Sequence, residues 1–171
     1  MRFTEEHHAF RAMVRAVVEK EIVPYVDQWE KDGIFPAHEL FPKLGAQGLL
    51  GLEYDPAYGG QGADHLYTVI ACEELARCGA RGVPMGIGVQ SRLAPPSLHD
   101  FGSEELKQKY LVPAIAGTQV CSIAVTEAVA GSDVASIRTR AVLAGSGWVI
   151  NGSKHVDTHG NHAARKRLLG R

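Results

Sequence analysis

Apolar residues at helical spacing dominate the first two-thirds of the chain. One stripe consists of Phe10, Val14, Val17, Val18 and Tyr25. A spacing of three to four residues puts these side chains on one face of an α-helix, so the pattern predicts an amphipathic helix packed on a core. Pro24 lies inside the stripe and predicts a kink or an interruption, because proline lacks the N–H that a helix needs.

Polar residues predict where these helices begin and end. The N-cap candidates are Thr4, Asp64 and Ser103. Their side-chain oxygens suit the free N–H groups of a first helical turn. The pair Asp32-Gly33 predicts a stop, and Pro36 predicts the start of a short helix over about residues 39–47.

The helix capped by Asp64 has a predicted inner and outer face. The residues expected to face the core are Leu66, Val69 and Ile70. We expect the carboxylates of Glu73 and Glu74 to face water. The glycine-rich segment 79–88 is compatible with a close-packed helix, but its pattern does not select one.

The apolar period changes from helical to alternating after Gly117. Residues 121–126 form a short apolar strand, and the alternation over residues 137–143 predicts a half-buried strand. Residues 144–147 predict a turn into a strand at 148–150, and Asn151-Gly152 predicts a hairpin leading into one more strand. A helical block followed by an antiparallel meander predicts two domains of an α+β fold, with no parallel sheet.

Composition and charge narrow the class of protein. Of the 171 residues, 45% are hydrophobic and 22% are charged, which is typical of a soluble globular chain. The formal net charge is -1, so no global field attracts nucleic acid, and no apolar run is long enough to span a membrane. The N-terminus lacks a secretory pattern, and the odd set of Cys72, Cys78 and Cys121 predicts buried or half-buried thiols in a reducing cytoplasm.

The segment 124–136 is the most informative for chemistry. It reads as a strand that ends in a turn of small polar residues, whose exposed N–H groups can bind a carbonyl, a ring nitrogen or a phosphate. Thr126 and Ser132 add hydroxyl donors. The alternative is an ordinary β-turn in which Ser132 and Asp133 bond their own backbone, and composition alone favours it.

A resemblance to a known family changes that balance. Thr126-Glu127, followed by Gly131-Ser132-Asp133, is similar to the signature of the acyl-CoA dehydrogenase family. Further segments agree in the same order: Tyr58-Gly59-Gly60-Gln61-Gly62, Glu73-Glu74-Leu75-Ala76-Arg77, Phe101-Gly102-Ser103-Glu104-Glu105-Leu106-Lys107-Gln108-Lys109-Tyr110-Leu111 and Val149-Ile150-Asn151-Gly152-Ser153-Lys154. The resemblance covers the chain from about Phe3 to Lys154.

The resemblance implies a domain order and a cofactor. In this family an all-helical N-terminal domain packs on a middle β-barrel, and a C-terminal helical bundle completes each subunit. The chain would then comprise the helical domain at 1–116, an incomplete antiparallel β-barrel domain at 117–161 and a divergent basic tail at 162–171. The resemblance further implies FAD, an acyl-CoA substrate of fatty acid metabolism, an electron-transfer flavoprotein partner and a homo-oligomer.

The resemblance also assigns site residues. The segment from Ile123 through Gly131 to Ser132 would touch the flavin, with Val125 and Thr126 at its ring. Ser132 would also reach the acyl-CoA. Val156 and Thr158 would belong to a second flavin contact.

Two departures from the family pattern stand out. Ala128 occupies a position where the family commonly has proline, which should loosen the turn without removing a hydrogen bond. Residues 155–159 lack the aromatic residue of the second flavin contact and place Asp157 in an apolar strand. After Asn161 the similarity disappears into a short basic tail, which suggests a reading-frame change.

The family's reaction needs groups that the sequence does not contain. The family's glutamate base lies in the C-terminal bundle, and Glu127 belongs to the signature but is not that base. We therefore expect no catalytic residue and no activity from these residues alone. A function of a different class is a non-catalytic helical interaction module that has lost its ligand sites.

Three further motifs are weaker. Residues 86–91 partly match a dinucleotide-binding fingerprint, with Ser91 at the third glycine and no clear strand before it. His155, His159 and His162 with Asp157 could bind a metal, but their spacing fits no specific family. The basic run Arg165-Lys166-Arg167 is typical of a solvated terminus rather than a nucleic-acid site.

Overall fold

The computed structural model describes residues 3–155, 158–159 and 165–168, with only the backbone described for the last four. The helices are α1 Glu5–Glu21, α2 Val26–Asp32, α3 Ala37–Ala46, α4 His65–Ala76, α5 Gly82–Gly88, α6 Pro96–Phe101, α7 Glu104–Leu106 and α8 Val112–Ile115. Two π-helical turns, Val89–Leu93 and Lys107–Leu111, continue α5 and α7 respectively. The strands are β1 Cys121–Ala124, β2 Arg140–Ala144, β3 Gly147–Asn151 and β4 Arg165–Leu168.

The predicted helix caps are confirmed. Thr4 accepts a hydrogen bond from the N–H of His7, and the His7 ring accepts one from the N–H of Thr4, which completes a capping box. Asp64 caps α4 through the N–H of Leu66, and the side chain of Ser103 caps α7. These side chains satisfy N–H groups that would otherwise have no partner within the helix.

The predicted interruption and stop are also confirmed. The helix α1 ends before Pro24, which lies in a short 3₁₀ turn, and α2 ends at Asp32 with Gly33 at a φ of +67°. Tyr25 departs from the predicted stripe, because the interruption turns it outward to stack on Trp29 at 5.6 Å between ring centroids.

The core of the helical part lies between α1, α3, α4 and α5. Its largest fully buried apolar residues include Val14, Val18, Ile22, Phe41 and Leu44. Burying a side chain of this size contributes about 1.5–3 kcal/mol. This packed core holds the chain at the point where β1 leaves the helical part.

Glu74 contradicts the prediction that both glutamates of α4 face water. Glu73 is exposed, but the side chain of Glu74 is only 2% exposed. It accepts hydrogen bonds from Arg15 Nε at 2.8 Å, Arg15 Nη2 at 3.0 Å and Arg11 Nη1 at 3.0 Å. Two arginines of α1 thus neutralise the buried carboxylate. The prediction failed because these partners lie about 60 residues away in the sequence, beyond the reach of a local pattern.

The strands form two separate pairs. The pair β2–β3 is antiparallel, with Leu143 opposite Trp148, and two residues, Gly145 and Ser146, turn the chain between the strands. The pair β1–β4 is parallel, with Cys121 opposite Arg165. The α+β fold, helical first and stranded after Gly117, is confirmed for the described residues, but the exclusion of parallel pairing is wrong. A parallel pair needs a long connection, so turn signals could not reveal it.

The hairpin β2–β3 is exposed on both faces. All ten of its residues are exposed, so the prediction of a half-buried strand is wrong for β2. The buried residues Ile137 and Thr139 lie just before the strand. Within the described part of the chain, no second layer packs on the hairpin, so alternation along the sequence did not translate into burial.

The predicted hairpin at Asn151-Gly152 is wrong. Residues 152–155 form no strand, and Gly152 packs against the side chain of Thr139 so closely that a Cβ atom would overlap it. Lys154 then reaches Glu127. These contacts draw the chain away from β3 instead of turning it back along the strand.

One face of the hairpin is expected to promote self-association. Ala141, Leu143, Trp148 and Ile150 share that face, because directly opposed residues of an antiparallel pair lie on the same side. Replacing Trp148, which is 65% exposed, with glutamate should reduce concentration-dependent association while changing the free energy of unfolding by less than about 0.5 kcal/mol. Light scattering over a concentration series measures this. The control is Phe101→Glu, at an 84% exposed residue of α6; equal effects of the two variants would contradict the prediction.

Candidate functional site

The strand β1 leads directly into a tight turn at residues 126–132. The N–H of Glu127 donates to the carbonyl of Ala130 at 2.7 Å, and the N–H of Ala130 donates back at 3.2 Å. Ala128 and Val129 therefore form the tip of the turn, and both are exposed. The turn is held by its own backbone even though Ala128 replaces the family's proline.

Glu127 anchors this turn to the following segment. Its carboxylate accepts hydrogen bonds from the N–H of Arg138 at 2.7 Å, and from the N–H and hydroxyl of Thr139 at 2.9 and 2.6 Å. Lys154 Nζ lies 2.9 Å from Glu127 Oε1. The Thr139 hydroxyl, the Arg138 N–H and the Lys154 ammonium lower the pKa of Glu127 to about 2. The carboxylate is therefore ionised and fully engaged, which suits an anchor and not a proton acceptor.

Residues 154–155 hold the other side of the turn. Lys154 Nζ donates to the carbonyl of Val125 at 2.9 Å, and the N–H of His155 donates to the carbonyl of Thr126 at 2.9 Å. Both carbonyl groups of the predicted flavin-facing pair are thus fixed by residues 154 and 155. One side chain and one backbone N–H, and not the strand pairing alone, therefore orient these peptide units.

The turn also carries donors that have no partner among the described residues. Thr126, Gly131 and Ser132 are exposed, and among the described residues their N–H groups have no protein acceptor. Thr126 and Ser132 add two hydroxyl groups to this set. Such a set of N–H and O–H donors fits a ligand rich in acceptors, such as a flavin ring or a phosphate.

The other predicted site residues lie on or next to β1. Ile123 and Val125 are half-buried, with Ile123 in the strand and Val125 just after it. Ser122 Oγ donates to the carbonyl of Thr158 at 2.8 Å, so the structure brings Thr158 beside β1. Val156 and Asp157 lie outside the described residues. No role was predicted for Lys154, although it holds the turn; its place after Asn-Gly-Ser in the matched motif was the available signal.

The weaker motifs acquire structural explanations. Residues 86–91 lie within α5 and its π-helical turn, with no strand before them, which is not the setting of a dinucleotide-binding loop. The ring of His159 packs on Phe35 and Phe41, with centroids 5.9 and 5.4 Å away. Among the described residues no group of three or more His, Cys, Asp or Glu could hold a metal; His162 lies outside them.

No helix in the described ranges is long and apolar enough to cross a membrane.

The cysteines are free, as predicted. Cys78 is buried, while Cys72 and Cys121 are half-buried. Burial raises the pKa of the Cys121 thiol to about 11, so this thiol at the start of β1 is protonated at neutral pH.

Comparison with known proteins decides the family. The family model described as "Acyl-CoA dehydrogenase, N-terminal domain" matches residues 4–118. The chain belongs to the acyl-CoA dehydrogenase family. The rat mitochondrial long-chain specific acyl-CoA dehydrogenase is 38% identical over 92% of this chain and 36% of its own length.

Solved structures of the acyl-CoA dehydrogenase family share the fold. The acyl-CoA dehydrogenase of Geobacillus kaustophilus superposes with a TM-score of 0.90 at 39% identity, over 98% of this chain and 43% of that one. A glutaryl-CoA dehydrogenase of Mycobacterium smegmatis, solved in complex with FADH2, superposes with a TM-score of 0.92 at 31% identity, over 99% of this chain and 43% of its own. The chain therefore spans less than half the length of these relatives.

Proposed function

We propose that the chain is the part of a flavin-dependent acyl-CoA dehydrogenase that supplies the helical domain, to residue 116, and the start of the β-barrel domain, to about residue 161. Such an enzyme removes the α-proton and the β-hydride of an acyl-CoA thioester. The observation that carries the proposal is the row of exposed donors at Thr126, Gly131 and Ser132, in a turn that matches the family signature. An electron-transfer flavoprotein and further copies of the same subunit are the proposed partners.

Each predicted site residue has a proposed role. FAD, when bound, supplies the hydride acceptor at its N5 atom. Ile123 and Val125 give the ring an apolar edge and a backbone contact, and Thr126 donates through its hydroxyl. Gly131 and Ser132 donate through N–H groups, and the Ser132 hydroxyl also reaches the acyl-CoA. Val156 and Thr158 form the second contact with the flavin.

Neither of the two glutamates that are buried in the described part of the chain suits the role of the base that the reaction needs. A base must reach the α-proton of the thioester. Glu127 is held ionised by four donors from Arg138, Thr139 and Lys154, and Glu74 is held by arginines in the helical core. The base belongs to the C-terminal bundle of the family, so catalysis requires the rest of the family fold.

We expect these residues alone to bind FAD weakly, because association costs several kcal/mol before any contact is counted. In a titration followed by ¹H–¹⁵N NMR, FAD should shift the amides of residues 125–132 in fast exchange, with a Kd weaker than about 100 µM. Gel filtration should leave no stoichiometric flavin. The double variant Thr126→Ala, Ser132→Ala should lose the shifts. The control is Thr118→Ala, Ser153→Ala, at two other exposed hydroxyls.

The titration separates the two classes of function. A yellow protein with one FAD per chain would contradict the weak binding. Shifts in the helical domain alone, or none at any concentration, would favour the non-catalytic helical module.

The same chain is expected to show no acyl-CoA oxidation. General-base catalysis is typically worth about 10²–10⁴-fold, and it needs the flavin to be positioned first. The assay is acyl-CoA-dependent reduction of an artificial electron acceptor, with added FAD and short, medium and long acyl chains. Turnover that disappears in the Thr126→Ala, Ser132→Ala variant would show that a base acts with this turn after all.

A further inference from the structure

A buried polar network lies where the helical part meets β1. The turn Val89–Leu93 is π-helical, so the N–H of Ala94 bonds to the carbonyl of Val89, five residues back, at 3.0 Å. The carbonyl of Ser91 has no helical donor four or five residues on, because Pro95 and Pro96 lack an N–H, and the Tyr54 hydroxyl donates to it at 2.6 Å. The Ser91 hydroxyl in turn donates to the carbonyl of Ile87 at 2.8 Å. π-helical insertions often mark functional positions in helices.

Gln90 is the member of this turn that reaches β1. Its side chain is fully buried. Its Nε2 donates to the carbonyls of Ala114 and Gln119, both at 2.9 Å, and its Oε1 accepts from the N–H of Cys121 at 2.7 Å. One side chain therefore joins α5 to the end of α8, to the connection after it and to the first residue of β1.

These bonds have a direct consequence for the turn at 126–132. Because β1 has only four residues, fixing Cys121 fixes the position from which Val125 and Thr126 leave the strand. A buried amide with all of its hydrogen bonds made favours a single geometry. An apolar side chain of the same size would take this partner from the carbonyl of Gln119 and the N–H of Cys121, while the carbonyl of Ala114 would keep the N–H of Gly117 at 3.1 Å. We propose that Gln90 is a positioning residue for the flavin-facing turn, and this proposal rests on the proposed function.

Two substitutions separate the effect of the Gln90 hydrogen bonds from the effect of its side-chain volume. Gln90→Met keeps the length and volume of the side chain and removes all three hydrogen bonds. Gln90→Glu, kept protonated by burial between two carbonyl groups, retains the acceptor for the N–H of Cys121 and one of the two donors. The matched control is Gln108→Met, because Gln108 lies in the other π-helical turn and is exposed, donating to Glu104 at 2.9 Å.

The experiment measures amide hydrogen exchange and FAD-induced amide shifts on the whole 171-residue chain. Gln90→Met should speed exchange of residues 121–126 about tenfold or more relative to the helical core, with Gln90→Glu intermediate. The FAD-induced shifts of Thr126 and Ser132 should weaken in the same order. Gln108→Met should match the unsubstituted chain in both measurements.

Equal acceleration of exchange in the helical core and β1 would overturn the proposal, because Gln90 would then only stabilise the fold. Unchanged exchange in β1, or unchanged FAD-induced shifts in the Gln90→Met variant, would also overturn it. If the unsubstituted chain gives no FAD-induced shift, the proposed function fails, while localised faster exchange at 121–126 would still support the link from Gln90 to β1.

Discussion

Replacing Glu74 with glutamine is expected to lower the free energy of unfolding by about 2 kcal/mol at neutral pH. The carboxylate is buried between Arg11 and Arg15, with Arg77 Nε 3.6 Å away. A neutral amide keeps the shape of the side chain but removes the buried counter-charge of Arg15 and leaves Arg11 with the exposed Glu73 alone. The loss is moderated because Arg15 and Arg77 are partly exposed, 43% and 61% in their side chains.

The same site predicts a dependence of stability on pH. The hydrogen bonds from Arg15, followed by those from Arg11, lower the pKa of Glu74 from 4.5 to about 2. A carboxyl group with a lowered folded-state pKa stabilises the fold above its unfolded pKa, and that stabilisation is lost as the pH falls. The difference between the unsubstituted chain and the Glu74→Gln variant should therefore shrink between pH 4.5 and about pH 2.

Urea unfolding at several pH values measures both effects. The matched control is Glu73→Gln, since Glu73 also pairs with Arg11, at 2.6 Å, but its side chain is 52% exposed. An exposed pair of this kind contributes less than about 1 kcal/mol. Equal losses of unfolding free energy in the two variants would show that burial of Glu74 does not strengthen its ion pairs.

Gly117→Ala is expected to destabilise the chain by about 3 kcal/mol. Gly117 has a φ of +75°, which costs an alanine about 1–2 kcal/mol. In addition, a Cβ atom there would overlap the backbone carbonyl of Phe41 in α3, and relieving such an overlap in a packed site typically costs about 1–3 kcal/mol. Gly117 therefore lets the chain pass α3 on its way to β1.

Gly79→Ala is the control that separates conformation from contact. Gly79 has a φ of +83°, and a Cβ atom there would meet nothing within 4 Å. Its substitution should cost only the conformational part, about 1–2 kcal/mol. Thermal or urea unfolding of both variants measures the difference, and a Gly79→Ala loss as large as that of Gly117→Ala would contradict the steric account.

The helical part could be predicted from the sequence where the signals are local. Thr4 and Asp64 cap their helices through residues two or three positions away, and Pro24 interrupts a helix by its own ring. Glu74 could not be placed, because its partners lie about 60 residues earlier in the chain. A charged residue is exposed by default, and only the folded structure shows that two arginines permit burial.

The β region was less predictable for the same reason. The signal at residues 144–147 is local and produced the expected turn, whereas Asn151-Gly152 was overridden by contacts with Thr139. The turn at 126–132 could be found because its motif is contiguous. Its supports could not, since Lys154 lies well after it and Gln90 well before it.

The parallel pairing of β1 sets an order for folding during synthesis. Forty residues separate the end of β1 from the start of β4, and the separate hairpin β2–β3 lies between them. At about 5–20 residues per second, a ribosome adds that stretch in roughly 2–8 s. During that interval the helical part can close its core and bond the N–H of Cys121, while the rest of β1 has no strand partner and can be bound by a chaperone or another nascent chain. Rare codons between residues 125 and 164 would lengthen the time for which β1 has no strand partner, and faster translation of that stretch would shorten it.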